Sequence, residues 1–136
     1  MAFLWPSRIR FVDTDASGWI HYTALFRHLE CAEIEFFRSI GLTYPQAFDR
    51  GLSIPRVHVE ADYLLRLHHD DEIMIEVRVE KIGETSATLV FDVRKQEGGA
   101  TAARGRYVFV CIEIATLRPI AWPAELRAAL ERFQAV

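Results

Sequence analysis

The stretch YTALFRHLECAEIEFFRSI, Tyr22 to Ile40, decides the fold. Its apolar residues return every three or four positions, at Leu25, Leu29, Ala32, Phe36 and Ile40. Phe26, Ile34 and Phe37 widen the stripe. That period is helical, and a stripe so wide predicts a helix that is mostly buried. Gly41 follows where a C-terminal cap belongs.

Outward from this helix the period changes. Upstream, Arg8 to Asp13 reads as a short strand and Asp13 to Gly18 as a polar turn. Downstream the period is two: Val57, Val59, Ala61 and Tyr63 alternate with polar residues, and Ile73, Ile75, Val77 and Val79 do so again. Gly83 turns the chain into Ala87, Leu89, Phe91 and Val93, and Gly98-Gly99 turns it into Tyr107, Phe109 and Cys111. From Pro123 a short closing helix places Leu126, Leu130 and Phe133 on one face. The predicted order is strand, long helix, four antiparallel strands, short helix. One sheet then has one face to cover and one apolar helix to cover it with, so an α+β fold with the sheet wrapped around a central helix is the economical solution.

At 136 residues the chain reads as one domain, spanning 1–136, large enough to bury a core without staples. Hydrophobic residues at 51% and charged residues at 26% describe a globular chain, and a net charge of −3 gives no electrostatic reason to expect nucleic acid. Cys31 and Cys111 lie far apart in apolar surroundings and read as reduced core thiols. Met1 to Ser7 lacks a basic start and a long apolar run, and no apolar stretch is long enough for a bilayer. The expectation is a cytoplasmic protein with no membrane partner.

Val12-Asp13-Thr14-Asp15-Ala16-Ser17-Gly18-Trp19-Ile20-His21-Tyr22 sets two acids just before the buried helix. A carboxylate there serves as nucleophile or general base, while a helix start offers free N–H groups to a developing oxyanion. The bland reading is that both acids shape a turn and cap the helix. Here the sequence resembles the 4-hydroxybenzoyl-CoA thioesterase family of hotdog proteins, including its Tol-Pal-associated branch, which share Asp-x-Asp-x-x-Gly before an apolar helix. Ser53 to Leu65, Asp70 to Ile73, Gly83 to Ser86 and Arg118 to Pro123 fall where that family has similar elements, so the resemblance runs nearly the whole chain.

The resemblance implies the hotdog fold and hydrolysis of an acyl-coenzyme A thioester. It assigns Asp15 to attack the carbonyl or activate water, the amide of Tyr22 to hold the oxyanion, and Gly18 to let the backbone turn. Ile54, Pro55 and Arg56 would line the acyl and pantetheine tunnel, and Thr85 and Ser86 would contact coenzyme A. Asp13 reads as structural. The Tol-Pal-linked branch often has His at the place of Tyr22 and Tyr at that of Phe11. Here His21 stands one position earlier and Phe11 has no hydroxyl, so the mechanism rests on Asp15 and a backbone amide. Glu84 stands where relatives place phosphate-binding bases, leaving Arg56, Lys81 or Arg104 for that role, or an acyl carrier protein as bearer of the thioester. No metal or other cofactor is implied, coenzyme A being part of the substrate. The resemblance further implies a homodimer or homotetramer, with Trp5, Trp19 and Phe37 as candidates for extra apolar contact.

Other polar groups carry plainer readings. His68-His69-Asp70-Asp71 is a solvated loop, because neighbours in extended chain point opposite ways. His21 and His28, seven apart, would share a helix face without a third ligand, and Glu30 and Glu33 read as salt-bridged or interface carboxylates. Two competing functions stand beside hydrolysis. One is a non-catalytic acyl-CoA-binding or interaction module. The other is an enoyl-thioester hydratase, disfavoured by the spacing of Asp15 and His21 and the lack of a Gly/Pro frame.

Overall fold

The computed structural model describes residues 1–134. Its strands are β1 (Phe3–Arg8), β2 (Leu52–Ser53), β3 (Arg56–Tyr63), β4 (Glu72–Ile82), β5 (Ser86–Lys95), β6 (Thr101–Val110), β7 (Ile112–Glu113) and β8 (Arg118–Pro119). Its helices are α1 (Ala24–Ser39), α2 (Tyr44–Asp49) and α3 (Ala124–Glu131). The main sheet is antiparallel with five strands ordered β1-β4-β5-β6-β3, and β2-β7-β8 make a small second sheet.

The period-two pattern puts Ile73, Ile75, Val77 and Val79 of β4, Leu89 and Val93 of β5 and Phe109 of β6 wholly out of water. Helix α1 lays Leu25, Leu29, Ala32 and Phe36 on that face. Burying each large apolar side chain contributes roughly 1.5–3 kcal/mol before entropy is counted. Gly105 shows how close the helix lies, since a Cβ there would stand 2.7 Å from Leu29 Cδ1. Phe36 ties β1 and the chain just after α3 to the long helix. Its ring meets Phe3, Phe37 and Phe133 edge-on, with centroids at 5.9, 5.5 and 5.0 Å. The α+β expectation of a sheet wrapped around one long helix is met.

Several details differ from the sequence reading. The first strand is Phe3–Arg8, not Arg8 to Asp13, and Phe11–Asp13 form one 3-10 turn. Asp13 makes that turn: its N–H donates to the Arg10 carbonyl at 2.9 Å while its Oδ2 accepts from the Arg10 N–H at 2.7 Å. The long helix begins at Ala24, so Tyr22 and His21 precede it and His21 shares no helix face with His28. Gly41 does cap it, at φ +79°. Helix α2 was not foreseen, although Thr43 and Gln46 form a capping box around Pro45. Cys111 is buried, but Cys31 is exposed because it falls on the outer side of α1. Phe37 is buried in the core and leaves little surface for a subunit contact.

Strand β3 is the exception to the buried pattern. It is an edge strand, bonded only to β6, and Val57, Val59 and Tyr63 are 59%, 45% and 46% exposed. Ala61 of its period-two apolar face packs against the core, but nothing in the described chain covers Val57 and Val59.

Candidate active site

The loop before α1 is a tight hairpin. Thr14 bridges to Ile20, the Asp15 N–H donates to the Trp19 carbonyl (3.1 Å), and the Gly18 N–H donates to the Asp15 carbonyl (3.0 Å). Gly18 sits at φ +83°, which glycine adopts without steric cost. Asp15 Oδ1 accepts from the Ser17 N–H at 2.8 Å and also from the Ser17 hydroxyl. The Ser17 hydroxyl, then its amide, holds the Asp15 carboxyl below its ordinary range, so the side chain is ionised. Asp15 is exposed, and among the described residues its Oδ2 makes no hydrogen bond.

Neighbours fix this hairpin. The Ile20 N–H donates to the Leu67 carbonyl (2.8 Å), Trp19 bridges to His68, and the Arg66 guanidinium lies 3.6 Å from the Trp19 ring centroid. The Tyr63 hydroxyl donates to the Tyr22 carbonyl, tying the loop to the far end of β3. The His21 N–H donates to the Asp13 carbonyl (2.6 Å), yet the Tyr22 N–H has no acceptor among the described residues. Tyr22 lies two residues ahead of α1, so its amide belongs to the turn and not to the helix's first turn.

The other predicted residues gather elsewhere. Arg56, at the start of β3, donates from Nε to Glu33 Oε2 at 2.7 Å, and its Nη2 lies 2.7 Å from Glu33 and 3.6 Å from Glu30. Glu33 is buried, and burial pushes its carboxyl up to about 7 against the pull of Arg56. Glu33 and Ile54 border an apolar pocket of about 120 Å³ completed by Ile34, Phe37, Leu42 and Leu52. Pro55 and Thr85 flank the end of β6: the Val110 N–H donates to the Pro55 carbonyl (3.1 Å), and the Cys111 N–H to that of Thr85 (2.7 Å). The Ser86 carbonyl accepts from Trp122 Nε1 (2.9 Å).

Ile54, Pro55, Arg56, Thr85 and Ser86 therefore form one group, and Asp15, Gly18 and Tyr22 another. Arg56 sits beside Glu33 and Tyr63 beside Tyr22, so β3 spans the gap, seven steps of extended chain or about 23 Å. One chain alone does not bring the two groups together. Of the three candidate phosphate ligands, Arg56 is held by Glu33 and Arg104 by Asp92, while Lys81 makes no ion pair among the described residues. His68 to Asp71 is a turn closed by the His68 N–H on Asp71 Oδ2 (2.8 Å). Sequence reasoning missed the Tyr63–Tyr22 and Arg66–Trp19 contacts. They join residues more than 40 positions apart and leave no local pattern.

A five-stranded antiparallel sheet wrapped on one helix, with a polar loop leading into it, is the hotdog fold. A Staphylococcus aureus protein solved in complex with CoA superposes with a TM-score of 0.92 at 15% identity, covering 100% of this chain and 87% of that one. The acyl-CoA thioesterase YbgC of Haemophilus influenzae is 24% identical over 133 residues, 97% of this chain and 96% of its own. A 1,4-dihydroxy-2-naphthoyl-CoA hydrolase of Prochlorococcus marinus is 34% identical over 95 residues, 64% of this chain and 63% of its own. Residues 9–130 match the family model for the thioesterase-like superfamily, and the chain belongs to that family. The two curated relatives are by name thioester hydrolases. No helix among the described residues is long and apolar enough to cross a membrane.

Proposed function

We propose that this chain hydrolyses the thioester of an acyl- or aroyl-coenzyme A, with Asp15 supplying or activating the nucleophile and the Tyr22 amide holding the oxyanion. One observation carries the reading: a single hairpin presents an ionised carboxylate with a free oxygen and an amide without an acceptor. Asp15 attacks the carbonyl carbon, or takes a proton from the water that does. Negative charge passes to the carbonyl oxygen, where the Tyr22 N–H meets it, and the carbon–sulfur bond breaks to release the thiol and a carboxylic acid. Gly18 gives the loop the left-handed turn that lets both groups converge.

The rest of the site comes from a second copy. Strand β3 is an edge with exposed Val57 and Val59, and pairing it antiparallel with its twin gives a homodimer with one continuous sheet. A two-fold at the middle of β3 carries the partner's Arg56 to this chain's Tyr63 end, closing the gap of about 23 Å. Ile54, Pro55 and Arg56 then line the acyl slot, and Thr85 and Ser86 face the coenzyme. Lys81 is the base left for its phosphates, and a carrier protein is the alternative bearer of the thioester. A pocket of about 120 Å³ suits a group the size of a benzene ring, since an engineered cavity of about 150 Å³ in another protein holds benzene. The setting is the cytoplasm.

A thiol-release assay across acyl- and aroyl-coenzyme A thioesters, run on wild type and Asp15→Asn, tests this. Turnover by wild type that falls at least about 100-fold in the variant is expected. Unchanged hydrolysis in Asp15→Asn overturns the assignment. Binding without hydrolysis by wild type turns the reading to a non-catalytic acyl-CoA-binding module.

A further inference from the structure

A second polar constellation lies on the opposite flank of α1, beside β1. Asp13 is wholly buried, accepts the Arg10 N–H and forms an ion pair with Arg27, so it is a carboxylate that only accepts. His28 Nε2 lies 2.8 Å from Asp13 Oδ2 and must therefore carry the proton. The other ring nitrogen, Nδ1, is then an acceptor, and the Ser7 hydroxyl 2.8 Å away donates to it. Burial, followed by the charges of Arg27 and Arg10, pushes His28 down to about 4, which leaves the ring neutral near pH 7. Hydroxyl, neutral imidazole and buried carboxylate stand in the order and polarity of a nucleophile, its base and the group orienting the base.

The array opens to solvent at the serine. Ser7 and His28 line a groove of about 320 Å³ with Trp5, Arg10, Arg27 and Cys31. Ser7 is partly exposed, and Arg10 makes no ion pair among the described residues. A groove of that size lies at the lower end of small-ligand sites. With Arg10 unpaired on its wall, and Arg27 already matched by Asp13, it favours a negatively charged guest.

We infer that Ser7, His28 and Asp13 form a second hydrolytic site, independent of Asp15, that acts on short carboxylic esters bearing an anionic group. Ser7 Oγ bonds to the ester carbonyl carbon as His28 Nδ1 takes its proton. The carbon–oxygen bond to the leaving alcohol breaks, and that alkoxide takes the proton from His28. Water, deprotonated by the same nitrogen, then cleaves the Ser7 ester to free the acid and restore the hydroxyl. Asp13 holds the ring in its tautomer and does not touch substrate.

Two measurements on the full-length protein test this. Diisopropyl fluorophosphate should form a phosphorus–oxygen bond at Ser7 with loss of fluoride, read as one adduct on the Ser7 peptide by mass spectrometry. Labelling should persist in Asp15→Asn and vanish in Ser7→Ala, a change that removes one oxygen and leaves the fold intact. In the Asp15→Asn background, mono(4-nitrophenyl) succinate should be cleaved roughly tenfold or more faster than 4-nitrophenyl acetate, the scale of one charge-assisted contact. Ser7→Ala should abolish that cleavage. An unlabelled Ser7 in folded wild type, or ester cleavage unchanged by Ser7→Ala, overturns the inference and makes the array a structural clamp. Thiol release in the Asp15 comparison reports the thioesterase reading separately.

Discussion

The two flanks of helix α1 differ in how far one chain completes them. On the β1 flank, Asp13, His28, Ser7 and Arg27 satisfy one another, with Asp13 wholly buried. On the β3 flank, Asp15 keeps a free oxygen, the Tyr22 amide has no acceptor, and the outer edge of β3 is unpaired. Asp13 and Asp15 are two residues apart on one loop and belong to opposite flanks. Residue type therefore says little about role here, and the state of each carboxylate's partners says much. On the β1 flank one chain assembles the whole array by itself, while the β3 flank leaves open valences that a substrate or a second copy can use.

The largest effect expected from breaking this contrast is on stability. Asp13→Ala leaves the buried His28 ring and the Arg10 N–H without their acceptor and frees the half-exposed Arg27, a loss towards the upper end of about 1–3 kcal/mol. Asp15→Ala removes an exposed side chain bonded only to Ser17 and should leave the unfolding midpoint close to that of wild type. Urea unfolding of the two variants beside wild type checks the pair. Equal losses would mean that the loop's two acids share one structural duty.

Titration sharpens the contrast next, because the flanks carry opposite linkages. The His28 value falls from 6.5 unfolded to about 4 folded, so the folded state holds fewer protons in that window and loses stability as pH falls through it. Glu33, near the β3 flank, rises from 4.5 to about 7, so stability there grows as pH falls from 7 towards 4.5. The two nearly offset in wild type. In Glu33→Gln, stability should drop by on the order of 2 kcal/mol between pH 7 and 5, and in His28→Phe it should rise over the same range. Chemical unfolding at each pH reads the slopes, and slopes of the same sign in both variants would refute the assignment.

The sequence showed the closed parts of this molecule better than the open ones. Leu25 to Ile40 and Ile73 to Val79 declare their elements because burial on one face imposes a period. The motif around Asp15 pointed to the acid through resemblance, and Asp13 read as structural. Composition hid the boundary at Phe11 to Asp13, where one side-chain hydrogen bond turns an apparent strand into a 3-10 turn. Arg56 was expected to line the tunnel and Thr85 to contact coenzyme A, but nothing local told how far they stand from Asp15: the chain holds Arg56 against Glu33, far along β3 from the hairpin. Tertiary pairs such as Tyr63 with Tyr22 follow no local spacing, so no window of sequence reveals them.

The smallest predicted effect bears on that separation. Val59 lies mid-strand on the open edge of β3, opposite Tyr107 of β6. Val59→Lys replaces an apolar side chain at the centre of the open edge with a strongly hydrated charge, the device by which edge strands resist pairing, which should cost on the order of 1 kcal/mol and weaken self-association several-fold. The Asp15 hairpin should stay in place, because the contacts that hold it are made within one chain. Analytical ultracentrifugation should show more monomer, and thiol release per chain should fall as the protein is diluted and recover as it is concentrated. That concentration dependence separates the two causes: a local defect lowers turnover equally at every dilution, whereas a site shared between copies loses it only where the pair comes apart.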